Sequence, residues 1–273
     1  HVLSRRQRQM CIRDRAYGGL EMGFVSTMLV CDYFSGATGS LSTAYGAHTG
    51  IGIMPIVLYG TEEQKQKYVP KLASGEEIGC YCLTEPGAGS DANSGKTKAV
   101  LSEDGTHYKI SGQKIWISNA GYASVMIVFA RIEDDKNITG FIVPNDPENG
   151  ISMGEEEHKL GIHASSTRQV FFSETKVPVE NMLSERGNGF KIAMNALNVG
   201  RIKLAVACID AQRRTVSESV RYANERIQFK TPISHFGAIK QKIANMATNC
   251  YVGESGCYRA VSYTHLRAHE TEE

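Results

Sequence analysis

The sequence predicts an α+β fold in which a β-rich segment lies between two helical segments. Apolar residues recur at helical spacing up to about residue 78. Short runs of β-branched and aromatic residues, separated by turn signals such as "SEDG" and "PENG", follow from 79 to 184. Helical spacing returns from 185. Because the strands do not alternate with helices, a doubly wound parallel sheet is not expected.

The first helical segment contains two apolar stretches and one capped helix. The apolar stretches are residues 21–34 and 41–59, and small residues in the second are expected to allow close packing: Gly46, Gly50 and Gly52. The stretch "TEEQKQKYVPKL" opens with a capping box in which Thr61 is the N-cap and Gln64 follows three residues later. Pro70 is expected to limit this helix.

The β-rich segment, residues 79–184, is long enough to form a barrel or a sandwich. Cys80 and Cys82 lie two residues apart, so on a strand they point to one face, which favours packing in the core. Their spacing is not that of a zinc knuckle, and no metal site is expected.

The second helical segment predicts a bundle of long antiparallel helices. Residues 190–226 form one continuous amphipathic pattern, and a second pattern begins at Gly237. No stretch of the chain is expected to be apolar over the length that a transmembrane helix needs.

The two ends of the chain have an unusual relationship. Codons for residues 9–14 can be chosen so that their reverse complement encodes residues 261–266, and both ends resemble translated sequencing adapters. Residues 1–15 and 261–273 are therefore predicted to be non-native and are left out of the prediction of the fold. The five Arg of residues 1–15 would otherwise suggest a nucleic-acid-binding arm or a transit peptide.

Composition gives little reason to expect a charged partner. Without the two ends, 24 basic and 25 acidic residues remain, and no basic stripe is left, so no nucleic acid partner is expected. The cysteines outside the ends are scattered among apolar residues, which is typical of reduced thiols in a cytosol-like compartment.

The densest motif is "YCLTEPGAGSDANSG", residues 81–95, at the end of a predicted strand. Gly87 and Gly89 allow the main chain to approach a ligand closely, and successive N–H groups in such a loop can bind an anion. Thr84 and Ser90 add hydroxyl donors. For "GAG" alone an ordinary turn is the better interpretation, and the lack of GxGxxG before a helix excludes a Rossmann fingerprint.

The string "CLTEPGAGSDANS" resembles the signature of the acyl-CoA dehydrogenase family, and the resemblance extends over residues 17–260. Within the family, the sequence is most similar to the very-long-chain branch. Further motifs follow in the order found in that family: "KIWISNAG" (114–121), "LGIHASSTRQVFF" (160–172), "VPVENML" (177–183), "GNGFKIAMNALNVGR" (187–201) and "YANERIQF" (222–229).

This resemblance implies three domains: a partial helical N-terminal domain (16–78), a middle β domain (79–184) and the start of a C-terminal helical bundle (185–260). It also implies FAD in a cleft between the last two, and conversion of an acyl-CoA to a trans-2-enoyl-CoA. Electrons would pass to an electron-transfer flavoprotein. A homodimer or homotetramer is expected, in the cytoplasm or, in a eukaryote, in the mitochondrial matrix.

The resemblance also assigns site residues. Those expected to bind the cofactor are Tyr81, Leu83, Thr84, Gly89, Ser90, Trp116, Ser118, Arg226, Gln228 and Phe229. Those expected to contact the substrate are Ser90, Ser165, Asn198 and Arg201. For Trp116 a core aromatic, and for Arg226 a solvated surface residue, are the alternatives. Lys230 stands where many relatives have Gly, which leaves the local turn open.

The catalytic base is not identified. Most of the family has a Glu base late in the chain, and a minority has one at the position of Gly200 here. We therefore expect the base to lie beyond Ala260, with Arg201 as a supporting residue, and Glu85 to have a structural role. The chain as given is expected to be inactive. The alternatives are an acyl-CoA oxidase-type relative and a flavin- or CoA-binding fragment without turnover.

Overall fold

The structure is a computed structural model that describes residues 15–19 and 22–269, with side chains as far as Tyr263. The predictions for residues 1–14 and 270–273, and for the side chains of His265 and His269, lie outside the described residues. The α+β prediction is confirmed. The helices are α1 (Phe24–Ala37), α2 (Gly39–Gly46), α3 (Met54–Tyr59), α4 (Glu62–Ser74), α5 (Gly189–Ala207), α6 (Ile209–Glu225) and α7 (Gly237–His269).

The main sheet has eight strands and is mostly antiparallel. Its strands are β1 (Gly79–Cys82), β2 (Lys98–Leu101), β3 (His107–Ser118), β4 (Val125–Ile132), β5 (Thr139–Pro144), β6 (Ile151–Met153), β7 (Thr167–Pro178) and β8 (Met182–Leu183). The order is β6-β7-β3-β2-β4-β5-β8, and β1 pairs in parallel with β4. Two short strands, β9 (Ile227–Gln228) and β10 (Thr231–Pro232), form a separate hairpin.

Strand β4 explains why the centre of the β segment is a continuous apolar run. Met126 and Val128 pack inside the β domain, whereas Ile127 and Phe129 pack in a second cluster that includes residues of α3, α4 and α5. Both faces of this strand are therefore buried, and alternation of polar and apolar residues is lost. The predicted core position of Cys80 and Cys82 is confirmed, since both are fully buried in the first cluster.

The capping box predicted at the start of α4 is confirmed. The N–H of Gln64 donates to Thr61 Oγ1 at 3.2 Å, and the N–H of Thr61 donates to Gln64 Oε1 at 3.0 Å. The prediction that Pro70 limits the helix is wrong, because α4 continues past it to Ser74 and ends at Gly75, whose φ is 80°. The buried side chains of Val69 and Leu72 keep this part of the helix packed in the core, which compensates for the missing N–H of proline.

Close packing through small residues is confirmed at Gly52, in the π-helical segment Ala47–Gly52. A Cβ on Gly52 would lie 2.8 Å from the main chain of Gly79, and one on Gly79 would lie 3.1 Å from Gly52. The expectation is wrong for Gly46, where a Cβ would meet no atom within 4 Å. His48 supports the same junction, because its Nδ1 accepts from the N–H of Gly79 at 3.0 Å.

The long pattern at residues 190–226 is two helices rather than one, since Cys208 separates α5 from α6. Contrary to the sequence expectation, the helical stretch Gly189–Glu225 is long and apolar enough to cross a membrane, judged by length and composition alone. One candidate of this kind is weak support for a membrane span. Its apolarity has a structural cause, because Ile192, Ala193 and Ala196 pack in the second core cluster.

The chain folds as two compact units. One contains the described residues up to Met22 together with Thr43–Gly200, and so holds the whole main sheet. The other contains Gly23–Ser42 and the described residues from Arg201 onward, in which α1 packs against α6 and α7. The domain boundaries after residues 78 and 184 stay predictions.

Candidate functional site

The signature loop leaves the end of β1 and is fixed by its own main chain. The N–H of Glu85 donates to Ala88 O, and the N–H of Ala88 donates to Glu85 O, both at 3.1 Å. The N–H of Ile115 donates to Thr84 O at 2.9 Å, which attaches the loop to β3. The loop is therefore held beside the strand that carries Trp116.

A buried ion pair lies under this loop. Lys114 Nζ is 2.7 Å from Glu85 Oε1, and it also donates to Phe129 O at 2.7 Å and Leu83 O at 3.2 Å. Glu85 in turn accepts from the N–H of Thr97 at 3.1 Å. Because the ammonium and the carboxylate both have several partners, the pair joins β1, β3, β4 and the start of β2.

The two charges shift each other's pKa against the effect of burial. Burial raises the pKa of the Glu85 carboxyl, but the adjacent ammonium of Lys114 and the hydrogen bonds from Lys114, Thr97 and Lys96 hold that pKa below its usual value. Burial lowers the pKa of Lys114, and the charge of Glu85 offsets part of this. The Glu85 carboxylate is thus held in its charged form by these partners and is not free to act as a base.

Trp116 is exposed because β3 is irregular where it pairs with β7. The register shifts between Lys114 and Ile117, and Trp116 lies in this shift with a φ of 59°. The neighbours Lys114 and Ile117 are buried, whereas 58% of Trp116 is exposed. A strained backbone that presents an indole to the surface is a feature of ligand sites rather than of cores. The alternative of a core aromatic is therefore not supported.

The end of β3 lies next to the start of β7. Ser118 is half-buried and opposite Thr167 in the register, and the N–H of Asn119 donates to Ser166 O at 3.0 Å. Ser165 precedes β7 and is fully buried, and its Oγ has no hydrogen-bond partner among the described residues. The predicted site residues Thr84, Trp116, Ser118 and Ser165 are thus placed on adjoining segments.

The other predicted residues of the signature differ in exposure. Tyr81 and Leu83 are buried, and the Tyr81 hydroxyl donates to Ala193 O at 3.2 Å. Gly89 and Ser90 are exposed, and a Cβ on Gly89 would meet no atom within 4 Å. Their roles in binding stay predictions.

The sequence analysis did not identify Glu156, whose carboxylate holds the residues at the start of β7 in place. Its carboxylate accepts from Ser166 Oγ at 2.7 Å, from the N–H of Thr167 at 2.9 Å and from Arg168 Nε at 2.7 Å. Ser166 Oγ also accepts from the N–H of Gly121 at 3.0 Å. Glu156 lies in a run of three glutamates, so no sequence signal distinguishes it from its neighbours.

In the second unit, Arg226, Gln228 and Phe229 lie at the β9–β10 hairpin. Phe229 and Lys230 have φ values of 51° and 59°, as in a two-residue type I′ turn, so the hairpin forms without the glycine that many relatives have. Phe229 is 91% exposed, and its ring centroid is 6.3 Å from that of Phe236. Arg226 is also exposed, and its role stays a prediction.

The two predicted substrate residues of α5, Asn198 and Arg201, are both exposed. Their roles in binding the substrate stay predictions. Among the described residues, no group of three or more His, Cys, Asp or Glu side chains could hold a metal ion.

Comparison with known proteins identifies the family. The chain matches the acyl-CoA dehydrogenase N-terminal domain over residues 10–76, the middle domain over 80–175 and the C-terminal domain over 187–273. With the fold and signature loop described above, these matches show that the chain belongs to the acyl-CoA dehydrogenase family.

Two curated relatives are similar to the chain over most of its length. A probable acyl-CoA dehydrogenase of Bacillus subtilis is 51% identical over 245 residues, which are 90% of this chain and 41% of the relative. The mitochondrial very long-chain specific acyl-CoA dehydrogenase of Homo sapiens is 46% identical over 221 residues, 78% of this chain and 34% of the relative. The chain therefore spans well under half the length of these relatives.

Solved structures of related enzymes are also similar to this chain in fold. An acyl-CoA dehydrogenase complexed with FAD from Bacillus anthracis has a TM-score of 0.88 and 45% identity, covering 94% of this chain and 44% of the other. Butyryl-CoA dehydrogenase of Megasphaera elsdenii has a TM-score of 0.88 and 34% identity, covering 95% and 69%. A prolyl acyl carrier protein oxidase, AnaB, has a TM-score of 0.88 and 26% identity, covering 97% and 73%.

Proposed function

We propose that the protein is an FAD-dependent dehydrogenase that converts fatty acyl-CoA thioesters to trans-2-enoyl-CoA. The observation that carries the proposal is the exposed Trp116, held at a φ of 59° beside Ser118 and the signature loop. The similarity to the FAD-complexed enzyme of Bacillus anthracis supports the cofactor. The similarity to very long-chain specific enzymes supports a long acyl chain.

The residues present fit FAD. A Cβ on Gly87 or Gly89 would meet no atom within 4 Å, so the loop has open space where a ligand can reach its main chain. Trp116 offers an exposed aromatic face of the kind on which a flat ring system packs. Neither feature has a function in packing the core.

Bound FAD would supply the acceptor for the hydride that leaves the β carbon of the substrate. Thr84 and the N–H groups of the loop are suited to donate hydrogen bonds to the flavin edge that gains negative charge. Ser118 would donate to another part of the ring, and Trp116 would exclude water from one side of it. Arg226, Gln228 and Phe229 would bind the FAD of a neighbouring subunit.

The acyl-CoA would be contacted by Ser90, Ser165, Asn198 and Arg201. The buried, unpaired Oγ of Ser165 supports this assignment, because a polar group without a partner is costly unless a ligand supplies one. The base that removes the α proton is proposed to be a glutamate outside residues 16–260. Glu85 is unsuitable because its carboxylate already accepts from Lys114, Lys96 and Thr97.

The remaining parts of the proposal concern the whole protein. Electrons would pass to an electron-transfer flavoprotein, and the intact protein would form a homodimer or homotetramer. It would act in the cytoplasm, or in the mitochondrial matrix of a eukaryote. These assignments rest on family membership.

The test uses the chain extended to the length of its relatives and, in parallel, residues 16–260. The extended protein should bind FAD, and its flavin absorbance should bleach on addition of palmitoyl-CoA without oxygen. Residues 16–260 should not bleach at a comparable rate, because the proposed base is missing. Bleaching by residues 16–260 at the full rate would refute the position of the base. Failure of the extended protein to bleach with any acyl-CoA would refute the function.

The second candidate is an acyl-CoA oxidase-type enzyme, and the similarity to AnaB, a prolyl acyl carrier protein oxidase, supports it. Reoxidation of the bleached flavin by air, with stoichiometric peroxide, would support the oxidase. Reoxidation only by an electron-transfer flavoprotein would support the dehydrogenase.

A further inference from the structure

A cavity of about 720 Å³ opens on strands β2, β3 and β7. It lies at the N-terminal end of β3, whereas Trp116 lies near the C-terminal end of that strand. Its lining residues come from β2, the β2–β3 turn, the first part of β3 and the last part of β7. None of the predicted flavin or substrate residues lines it. A volume of this size is typical of sites for small ligands.

The middle of the cavity is basic. Lys98, Lys109 and Lys176 line it, and Lys109 lies directly opposite Lys176 in the antiparallel register of β3 and β7. Like charges at opposed positions on neighbouring strands destabilise a sheet unless something neutralises them. Within the described part of the chain, none of these three ammonium groups makes an ion pair or a side-chain hydrogen bond. Lys109 is half-buried and Lys176 is exposed, so their charges are not paired within the described structure and an anion from solvent can reach them.

The acidic residues of the cavity lie towards its ends. Glu103 and Asp104 are in the β2–β3 turn, and Glu174 is in an irregular part of β7 where its φ is 49°. Asp104 is already engaged, because it accepts from Ser102 Oγ at 2.6 Å and from the N–H of Thr106 at 3.1 Å. These carboxylates flank the three lysines but form no ion pair with them in the described structure.

The cavity also has an apolar and a polar feature that the fold does not use. Val100 and Leu101 are 48% and 42% exposed and give the cavity an apolar side. The Nε2 of His107 is buried and has no hydrogen-bond partner among the described residues. Exposed aliphatic side chains and a pair of opposed ammonium groups thus face one space, and His107, with its buried Nε2, forms part of the wall.

We propose that this cavity binds a small organic phosphate. The phosphate group would lie between Lys109 and Lys176, with Lys98 close by, and the organic part would pack against Val100 and Leu101. Ammonium groups bind phosphate through charge-assisted hydrogen bonds, and the ligand would remove the repulsion between the two opposed lysines. The ligand would be bound at a place distinct from the segments assigned to flavin and acyl-CoA.

An acidic segment of a partner protein is the competing occupant. The cavity favours the small ligand, because its carboxylates lie at both ends of the basic centre and would repel an acidic chain that extends past them. Binding of a small phosphate and binding of an acidic peptide can be measured separately, and the comparison distinguishes the two occupants.

The test measures binding of phenyl phosphate to the full chain by NMR, with and without saturating FAD. Phenyl phosphate should shift the amide signals of Lys98, Lys109 and Lys176 in both conditions and bind more tightly than inorganic phosphate. In Lys109→Gln/Lys176→Gln the dissociation constant should rise about tenfold or more, because two charge-assisted contacts are lost. The control is Lys242→Gln on α7, an exposed lysine that should leave binding unchanged. The melting temperatures of the variants verify that they fold.

Three results would overturn the proposal. The double substitution could leave the affinity for phenyl phosphate unchanged, which would place the ligand elsewhere. FAD could abolish the shifts, which would assign them to the flavin site. A polyglutamate peptide could bind at these strands while phenyl phosphate does not, which would make the cavity a docking site for an acidic protein.

Discussion

Lys114 Nζ lies 2.7 Å from Glu85 Oε1, and the side chains of both residues are buried under the signature loop. The pair connects the loop to the strand that carries Trp116, so the two segments assigned to flavin binding share one electrostatic anchor. Removing one partner of a buried pair leaves an uncompensated charge, and this costs more than the pair itself contributes.

Lys114→Met should lower the free energy of unfolding by about 3 kcal/mol. The double variant Lys114→Met/Glu85→Gln should cost less than the sum of its single substitutions, because neither charge then remains buried alone. Urea denaturation measures all three. The matched control is Lys71→Met, which removes an exposed pair with Glu77 and should cost about 0.5 kcal/mol or less. Equal losses in the free energy of unfolding for Lys114→Met and Lys71→Met would contradict the conclusion that the buried pair anchors the loop.

A second buried carboxylate holds the helices of the other unit together. Asp32 on α1 is 1% exposed and accepts from Arg213 at 2.7 Å and from the Tyr258 hydroxyl at 2.6 Å. Arg213→Met should destabilise the chain by about 3 kcal/mol, because in the described structure the Asp32 carboxylate then keeps only the Tyr258 hydroxyl as a partner. Arg221→Met on the same helix removes only exposed pairs with Glu218 and Glu225 and should cost about 0.5 kcal/mol or less. Thermal and urea unfolding of the two variants compare these losses directly.

Asp104 should titrate at low pH. Its hydrogen bonds from Ser102 and Thr106 hold its pKa at about 2, below the usual 3.8. Because the pKa is lowered in the folded state, the carboxylate stabilises the turn above pH 3.8, and this contribution is lost as the pH falls towards 2. An NMR titration of the Asp104 carboxyl carbon measures the value. In Ser102→Ala the pKa should move up, and an unchanged pKa would show that Ser102 has no part in the shift.

The β9–β10 hairpin carries strain that one substitution should relieve. Lys230 has a φ of 59°, a conformation that costs an L-residue about 1 kcal/mol and glycine little. Lys230→Gly should therefore raise stability by about 0.5 kcal/mol, after the greater flexibility of glycine in the unfolded chain is subtracted. Lys230→Ala is the control, since alanine keeps the strain and should show no gain. A loss of stability in Lys230→Gly, measured by urea denaturation, would refute this account.

Local patterns in the sequence predicted much of the fold. The order helix, sheet, helix follows from the change in hydrophobic period, and the capping box of Thr61 and Gln64 follows from residue type and spacing alone. The burial of Cys80 and Cys82 follows from the alternation of a strand. These features depend on residues close together in the chain, which is why a single sequence contains them.

Features that depend on tertiary contacts could not be predicted in the same way. Trp116 is exposed because the register between β3 and β7 shifts beside it, and nothing in "QKIWIS" indicates that shift. Glu156 acquires its partners only when its segment lies against the start of β7. The helix break at Cys208 interrupts a pattern that is periodic on both sides of it. The family resemblance suggested the site residues, but the ion pair of Lys114 and Glu85 beneath the signature loop required the structure.

Trp116 is the only tryptophan of the chain, so its fluorescence reports on the candidate site without labelling. The indole is 58% exposed, and its emission should be quenched when FAD binds, because the proposal places the flavin ring against it. Trp116→Phe keeps an aromatic face and should weaken FAD binding by roughly tenfold or less, whereas Trp116→Ala should weaken it further. Flavin fluorescence measures binding in the variants, and Tyr122→Phe, at another partly exposed aromatic residue, serves as the control. FAD binding of unchanged affinity in Trp116→Ala, or binding to the native chain without quenching, would remove Trp116 from the flavin site and with it the observation on which the proposed function rests.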